Sequence, residues 1–409
     1  MIIVHLSSAS FDSGAGMAVL SLHKSMLVKG IDSRLYSPHS LNDNMSKSVF
    51  SYPNLSVKLM AKFNYWFDYF LIRLLGYRGS SPFSLLRRGK TWPSYSDLQH
   101  ADIIHLHWVG NSFINLQNLE GLKAKFVWTL RDWWPLTGGS HIPEEFEQIK
   151  ENRETYPFIP RHFLTNLMSR EQFKKTSFLR RTSKVKTIAQ SDFMRKDAEQ
   201  ILGLLSGSVG VIPSSINDAV YKYQKKILAR DKLGLSIEDS VIAIGATNIN
   251  DSHKGLDILS QIPENSKLKQ SIFLVFGNGE VALPKGVLRR EFGFVDSESM
   301  MRDIYAASDI LLHPSLYESF GKVALESIAC GTPVIAFSGT GPAEIIERTG
   351  GGRVSLLKDA TSFFREAEIQ INDLTEEFRL TIAHSANEKY SSEKVAREHI
   401  RLYSNLLLD

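Results

Sequence analysis

One cysteine, Cys330, stands in a chain of 409 residues. That excludes an internal disulfide and any zinc site built on cysteine ligands. No stretch of roughly 18 apolar residues runs free of charge, so no segment is expected to span a membrane. The opening Met-Ile-Ile-Val-His-Leu lacks a basic flank and a cleavage pattern, so it reads as a first buried strand and not a signal peptide. No nucleic-acid module is recognisable, so no nucleic-acid partner is expected, and the net charge is only +4. With 43% hydrophobic and 22% charged residues, composition is that of a globular, cytoplasmic protein. The length predicts two domains of about 200 residues each.

What is present is an alternation of short apolar runs and helical segments, the pattern of doubly wound α/β sheets. The first strand leads through Phe11–Gly16 into a helical run from Met17 to Lys29. Gly14 and Gly16 would let the backbone approach a phosphate, and a tight strand-to-helix turn explains them equally. Val19 stands where a third glycine would complete a dinucleotide fingerprint, which argues against a nicotinamide enzyme.

Positive charge concentrates in the first half. Between Ser48 and Lys90 lie Lys58, Lys62, Arg73, Arg78, Arg87, Arg88 and Lys90, against one acid, Asp68. A second basic run holds Arg161, Arg170, Lys174, Lys175, Arg180, Arg181, Lys184 and Lys186. Leu59, Phe63, Trp66, Phe67, Phe70, Leu71 and Leu74 share one helical face, with Lys58, Lys62, Asp68 and Arg73 off it. Two placements stay open: a helix packed on its own domain, or one meeting an anionic inner leaflet through 58–90.

Ala101–Val109 reads as a strand delivering His105 and His107 to its carboxyl end, and Phe126–Trp134 delivers Arg131 and Asp132 likewise. Ligands of open α/β sheets bind outside those ends. His105 and His107 share a face, but no third metal ligand is recognisable in the sequence. His105 reads as a satisfied core histidine and His107, last before the loop, as the functional candidate. Lys222 to Lys232 is charged and suits a crossover between domains. Val241–Thr247 is a strand, followed by Asn248 and by Lys254 just ahead of a helix start, where a lysine can neutralise a diphosphate.

The longest informative stretch is Ser315–Glu347. A buried strand ends at His313-Pro314, a helix runs from Gly321 to Ala329, and Cys330-Gly331-Thr332-Pro333 stops it. Glu318 precedes that helix and Glu326 lies within it. Their separation suits a ligand with hydroxyls at two places, such as a sugar joined to a ribose, and a solvated acidic helix start suits it equally.

Glu318-Ser-Phe-Gly-Lys-Val-Ala-Leu-Glu326, followed by Cys-Gly-Thr-Pro-Val and Gly-Pro-Ala-Glu-Ile-Ile, resembles the signature of the retaining glycosyltransferases of family 4, which have the GT-B fold. Asp102-Ile-Ile-His-Leu-His107 and Thr129-Leu-Arg-Asp132 resemble that family's acceptor-side motifs. The resemblance is strongest from Val241 to Glu347 and absent from Ser40 to Tyr95. It implies two Rossmann-like domains facing a central cleft: an acceptor domain at 1–215 containing the irregular segment 48–98, a crossover at 216–239, a nucleotide-sugar domain at 240–388, and a terminal helix at 389–409 packing back on the first domain. It further implies transfer of a hexose from a nucleotide-diphosphate sugar to a saccharide or lipid-linked acceptor with retained configuration, in surface-polysaccharide or lipopolysaccharide assembly.

The implied donor contacts are Gly14, Gly16, Asn248, Lys254, Phe294, Val295, Glu318, Ser319, Phe320, Gly321, Lys322 and Glu326, with His107, Lys254 and Glu318 catalytic and His107, Arg131 and Asp132 on the acceptor side. Two departures stand out: Arg131 where the family more usually has histidine, and Asn248 where it has arginine. No Asp-x-Asp pair is evident, so neither metal nor cofactor is expected. The alternatives are a same-fold epimerase or phosphorylase, and a non-catalytic nucleotide-binding scaffold, which the two departures favour.

Overall fold

Ile310–His313 and Val334–Phe337 are buried along their whole lengths. Strands apolar on both faces need cover on both, which a parallel sheet with flanking helices supplies. The computed structural model describes residues 1–41, 47–52, 55–74, 83–86, 93–111, 113–119, 121–143, 162–181 and 184–408. Arg78, Arg87, Arg88, Lys90 and Arg161 of the basic runs lie outside the described residues.

The chain divides into two units. Unit 1 comprises Met1–Gln190, Met194–Ile212 and Ala396–Asp409, and unit 2 comprises Ser191–Phe193 and Pro213–Val395. Unit 1 holds β1 (Ile2–Leu6), β2 (Asp32–Tyr36), β3 (Val49–Phe50), β4 (Ile103–Leu106), β5 (Lys125–Leu130), β6 (Val185–Ala189) and β7 (Gly210–Val211). They form one parallel sheet in the order β3-β2-β1-β4-β5-β6-β7. Unit 2 holds β8 (Val241–Asn248), β9 (Ile272–Asn278), β10 (Leu288–Gly293), β11 (Ile310–His313), β12 (Val334–Phe337) and β13 (Gly352–Ser355). Their order is β10-β9-β8-β11-β12-β13, again parallel. The winding direction reverses between β1 and β4 in one sheet and between β8 and β11 in the other. Crevices at such reversals are where these sheets take ligands.

Residues 216–239 are not an exposed crossover: they belong to unit 2 and carry the helix Lys226–Leu233. Charge density hid a buried anchor there. The Arg230 guanidinium is 1% exposed; it pairs with Asp309 at 3.0 Å and donates to the carbonyls of Ala307, Ser236, Ile237 and Asp239.

The core of unit 1 contains a row of imidazoles. Register pairs His5 of β1 with His105 of β4, and His107 follows two residues on. His105 is bonded on both nitrogens, to Thr129 Oγ1 and to Tyr403 Oη, each at 2.6 Å. Tyr403 comes from the final helix, Ser392–Leu408. Arg131 can only donate, so His107 accepts at Nδ1 (3.3 Å) and carries its proton on Nε2, which donates to His5 Nδ1 at 3.0 Å. His5 Nε2 then bears a hydrogen and is buried without a partner among the described residues. His23 closes the row, bonded to Ser33 and Ser48.

Burial, reinforced by neighbouring cationic forms, holds His5, His105 and His107 well below the usual histidine range. Burial pushes His23 down to about 4 and, in unit 2, His313 to about 4. These groups stay neutral when folded but take up protons near pH 6.5 when unfolded. Their contribution is complete above about pH 6.5 and is lost as pH falls toward the folded values, by up to ~1.4 kcal/mol per histidine per pH unit. Four of the five lie in unit 1, so its unfolding transition should drop more steeply than that of unit 2 between pH 7.5 and 5.5. Calorimetric scans across that range check this; parallel shifts of both units would contradict it.

Candidate functional site

Lys254 and Glu318 of unit 2 meet where its sheet reverses. β8 ends at Asn248, which is exposed and accepts the Asn250 amide at 3.2 Å. Asp251 then caps a short 3-10 turn, Ser252–Lys254, accepting from the His253 amide and ring, both at 3.0 Å. Gly255 follows with φ +62°, and a Cβ there would lie 2.1 Å from the Pro314 carbonyl oxygen. The Leu316 amide donates to the His253 carbonyl at 2.8 Å. The loop after β8 and the loop after β11 are therefore fastened backbone to backbone.

That fastening sets Lys254 against Glu318. Lys254 Nζ donates to Glu318 Oε2 at 2.6 Å, with about a quarter of each side chain exposed. Burial works to raise the Glu318 carboxyl, but Lys254, supported by His313, outweighs it and holds the group below the usual carboxylate range. Burial likewise works to lower Lys254, and Glu318 more than reverses it. His313, at the end of β11, is buried, and its Nε2 has no hydrogen-bond partner among the described residues.

The helix Lys322–Ala329 begins beside this pair. Gly321 caps it at φ +97°, with Pro342 2.5 Å from where a Cβ would stand, and the Gly341 amide donates to the Glu318 carbonyl at 2.8 Å. The turn at 341–342 thus shuts down on residues 318–321. Glu326 is buried, paired with Lys322 at 3.4 Å and approached by Tyr305 Oη at 3.4 Å. Its carboxyl is raised by burial, which Lys322 only partly offsets. Ser319 and Phe320 are buried in the same turn. Phe294, after β10, is 45% exposed, and Val295 packs half-buried on the core.

In unit 1 the predicted residues are arranged differently. The helix expected from Met17 begins already at Gly14 (α1, Gly14–Val28), capped by Ser13 Oγ, which accepts from the Gly16 amide, so the glycines stand in a tight strand-to-helix turn. A Cβ on Gly16 would fall 1.9 Å from the Ser10 carbonyl oxygen, so packing alone explains that glycine. His107 is buried with both ring nitrogens engaged. Asp132 is half-exposed; it accepts the Trp134 amide on Oδ1 at 2.9 Å and meets His141 Nδ1 on Oδ2 at 2.7 Å. That carboxylate oxygen can only accept, so Nδ1 of a neutral His141 carries the hydrogen toward it and does not also accept from Trp108 Nε1, 3.4 Å away. Nε2 is then a buried acceptor without a partner among the described residues, beneath the half-exposed ring of Trp108 (centroids 5.5 Å apart). Sequence reasoning missed His141 because nothing local ties it to Asp132.

His5, His105 and His107 are the one group among the described residues whose ligand atoms lie close enough for a metal, within 4.8 Å. They fit one poorly. Five of their six ring nitrogens already have partners, the charged neighbour is the Arg131 guanidinium, and no carboxylate is among the three ligands. The third imidazole, His5, was invisible to local spacing because it lies about a hundred residues away.

Comparison with known proteins bears on both units. Residues 238–373, about a third of the chain, match the family described as glycosyl transferases group 1. An uncharacterized glycosyltransferase of Methanocaldococcus jannaschii is 27% identical over 235 residues, covering 53% of this chain and 59% of that relative, so only part of its length is shared. Sucrose-phosphate synthase from Thermosynechococcus elongatus superposes with a TM-score of 0.65 at 16% identity over 100% of both chains. Anabaena HepE in complex with UDP-glucose superposes with a TM-score of 0.61 at 16% identity, over 99% of this chain and 100% of its own. Residues 238–373 accordingly match the glycosyl transferases group 1 family, and the two parallel sheets have the GT-B fold of the structures they superpose on.

Proposed function

We propose that the chain is a retaining, metal-independent hexosyltransferase of family 4 that moves a sugar from a nucleotide-diphosphate donor on unit 2 to a saccharide or lipid-linked saccharide on unit 1, in surface-polysaccharide or lipopolysaccharide assembly. With a lipid-linked acceptor it would work in the cytoplasm, at the inner face of a membrane. The observation that carries this reading is the Lys254–Glu318 pair at the sheet reversal, with Lys322–Glu326 beside it.

A donor entering there exchanges partners. The diphosphate takes Lys254, and Glu318, freed, accepts the sugar hydroxyls while Glu326 accepts those of the ribose. An ion pair that solvent still reaches contributes only about 1 kcal/mol, so a diphosphate carrying more charge displaces it readily. The bond from the anomeric carbon to the diphosphate oxygen breaks as the acceptor oxygen bonds to that carbon on the same face, and the acceptor proton passes to the departing diphosphate. Lys254 and the amides at Gly321 and Lys322 stabilise the negative charge that grows there.

On unit 1, Asp132 orients His141 so that Nε2 accepts a hydrogen bond from an acceptor hydroxyl, and Arg131 lies next in sequence. His107 meets the transferred sugar through Nδ1, which requires that the sugar replace Arg131 as its partner. Anabaena HepE in complex with UDP-glucose and Arabidopsis starch synthase IV bound to ADP support a nucleotide-sugar donor by likeness of fold.

In calorimetry, Glu326→Ala should weaken nucleotide-sugar binding at least ten-fold; unchanged donor affinity would remove Glu326 from the site. Lys254→Ala should lower kcat by roughly 10²–10³, the usual cost of removing one group that stabilises the departing charge. Transfer should persist in excess chelator, and activity lost there but restored by magnesium would overturn the metal-free mechanism.

A further inference from the structure

Helix α2 (Leu55–Leu74) is turned inside out relative to a helix of an ordinary globular domain. Its aromatic face was expected either to pack on its own domain or to meet a membrane. The packed stripe is Val57, Ala61, Asn64, Asp68 and Ile72, of which Asp68 and Ile72 are fully buried. Directly opposite, at the same helical spacing, stand Leu59, Phe63, Trp66 and Phe70, exposed by 56%, 66%, 63% and 66%. Leu55, Met60, Phe67 and Leu74 widen that crest, and all are exposed. The small and polar side of the helix faces the protein, and the apolar side faces out.

The borders of the crest identify its occupant. Lys58, Lys62 and Arg73 line one edge, together with the exposed phenols of Tyr65 and Tyr69; the Arg73 guanidinium lies 5.5 Å from the Tyr69 ring. The one acid of the helix, Asp68, is turned inward, so the outward surface carries three cations and no anion. Aromatic and aliphatic bulk edged by tyrosines and cations matches the layered chemistry of an anionic lipid surface, apolar below and phosphate-rich above. A second copy of the chain, paired crest to crest and antiparallel, would bring the two rows of cations together. No helix among the described residues is long and apolar enough to cross a bilayer.

We infer that α2 lies flat in the headgroup layer of an anionic membrane, its crest inserted and Lys58, Lys62 and Arg73 on lipid phosphates. The inference deepens the reading above by naming the surface on which a lipid-linked acceptor would be met, and rests on it for that purpose alone. Vesicle binding is measured without sugar transfer, so failure of either leaves the other intact.

The test is co-sedimentation of the full chain with vesicles of phosphatidylcholine alone or with about a third phosphatidylglycerol, at low and at physiological salt. The protein should bind the anionic vesicles and not the neutral ones, and more weakly as salt rises. Phe63→Ser, Trp66→Ser and Phe70→Ser combined should reduce binding at least ten-fold without lowering Tm, because those side chains are already in solvent. Charge reversal at Lys58, Lys62 and Arg73 should reduce it comparably. Equal binding to both vesicle types, or binding that survives the triple serine variant, overturns the inference. So does a dimer that the triple variant dissociates, since a second copy would then cover the crest.

Discussion

The contact on which the rest of unit 2 depends is the 2.6 Å pair between Lys254 and Glu318. Neither residue is placed by its own element alone. Lys254 ends a three-residue turn and Glu318 sits in a loop, so both would wander without the backbone fastening of Gly255 on Pro314 and Leu316 on His253. That fastening requires β8 and β11 to be neighbours, which the reversed winding of the sheet provides. Sheet order, a left-handed glycine and one backbone hydrogen bond together determine where two opposite charges meet. The pair keeps both groups ionised while each is partly withdrawn from water, the state in which a lysine and a carboxylate can exchange partners.

Unit 1 solves a different electrostatic problem. Its histidine row stays neutral under burial, and the hydrogen bonds run in one direction from Arg131 through His107 to His5. One fixed cation at the end of a neutral chain sets every tautomer along it. His105 stands outside that chain, held on both sides by Thr129 and Tyr403, while His107 changes its environment only if Arg131 moves. A dication placed among the three imidazoles would face that guanidinium without a compensating carboxylate.

Much of this was legible in the sequence where it depends on neighbours along the chain. The strands, the helix after Gly321, Lys254 just ahead of the helical run from Leu256 and the Glu318–Glu326 spacing are all local features. What was not legible depends on pairing across the sheet or on which side a helix presents. His5 joins His105 through strand register, and His141 joins Asp132 through a loop that folds back. Arg230 looked like part of a solvated charged run because its carbonyl partners are tertiary. For α2 the periodicity defined an apolar face correctly, but periodicity is symmetric with respect to inside and outside. Only the burial of Asp68 opposite the exposed Trp66 decides which way the helix is turned.

Asn248 gains meaning once the charges around the Lys254–Glu318 pair are counted. Lys254 faces Glu318 and Lys322 faces Glu326, so these four side chains sum to zero. On the proposed reading, a diphosphate draws off Lys254 and leaves both carboxylates to hydroxyl groups. The occupied site would then be net negative, offset only by amide dipoles at a short helix start, each such end being worth about 0.3–2 kcal/mol. An arginine at 248 would supply the missing positive charge; asparagine supplies none, and its own carboxamide oxygen is already bonded to the Asn250 amide. On that reading, donor affinity would come chiefly from hydroxyl contacts of Glu318 and Glu326. Such contacts would also be the ones that distinguish one sugar from another, so a site short of cations would be pushed toward reading the sugar and ribose rather than the charge that joins them.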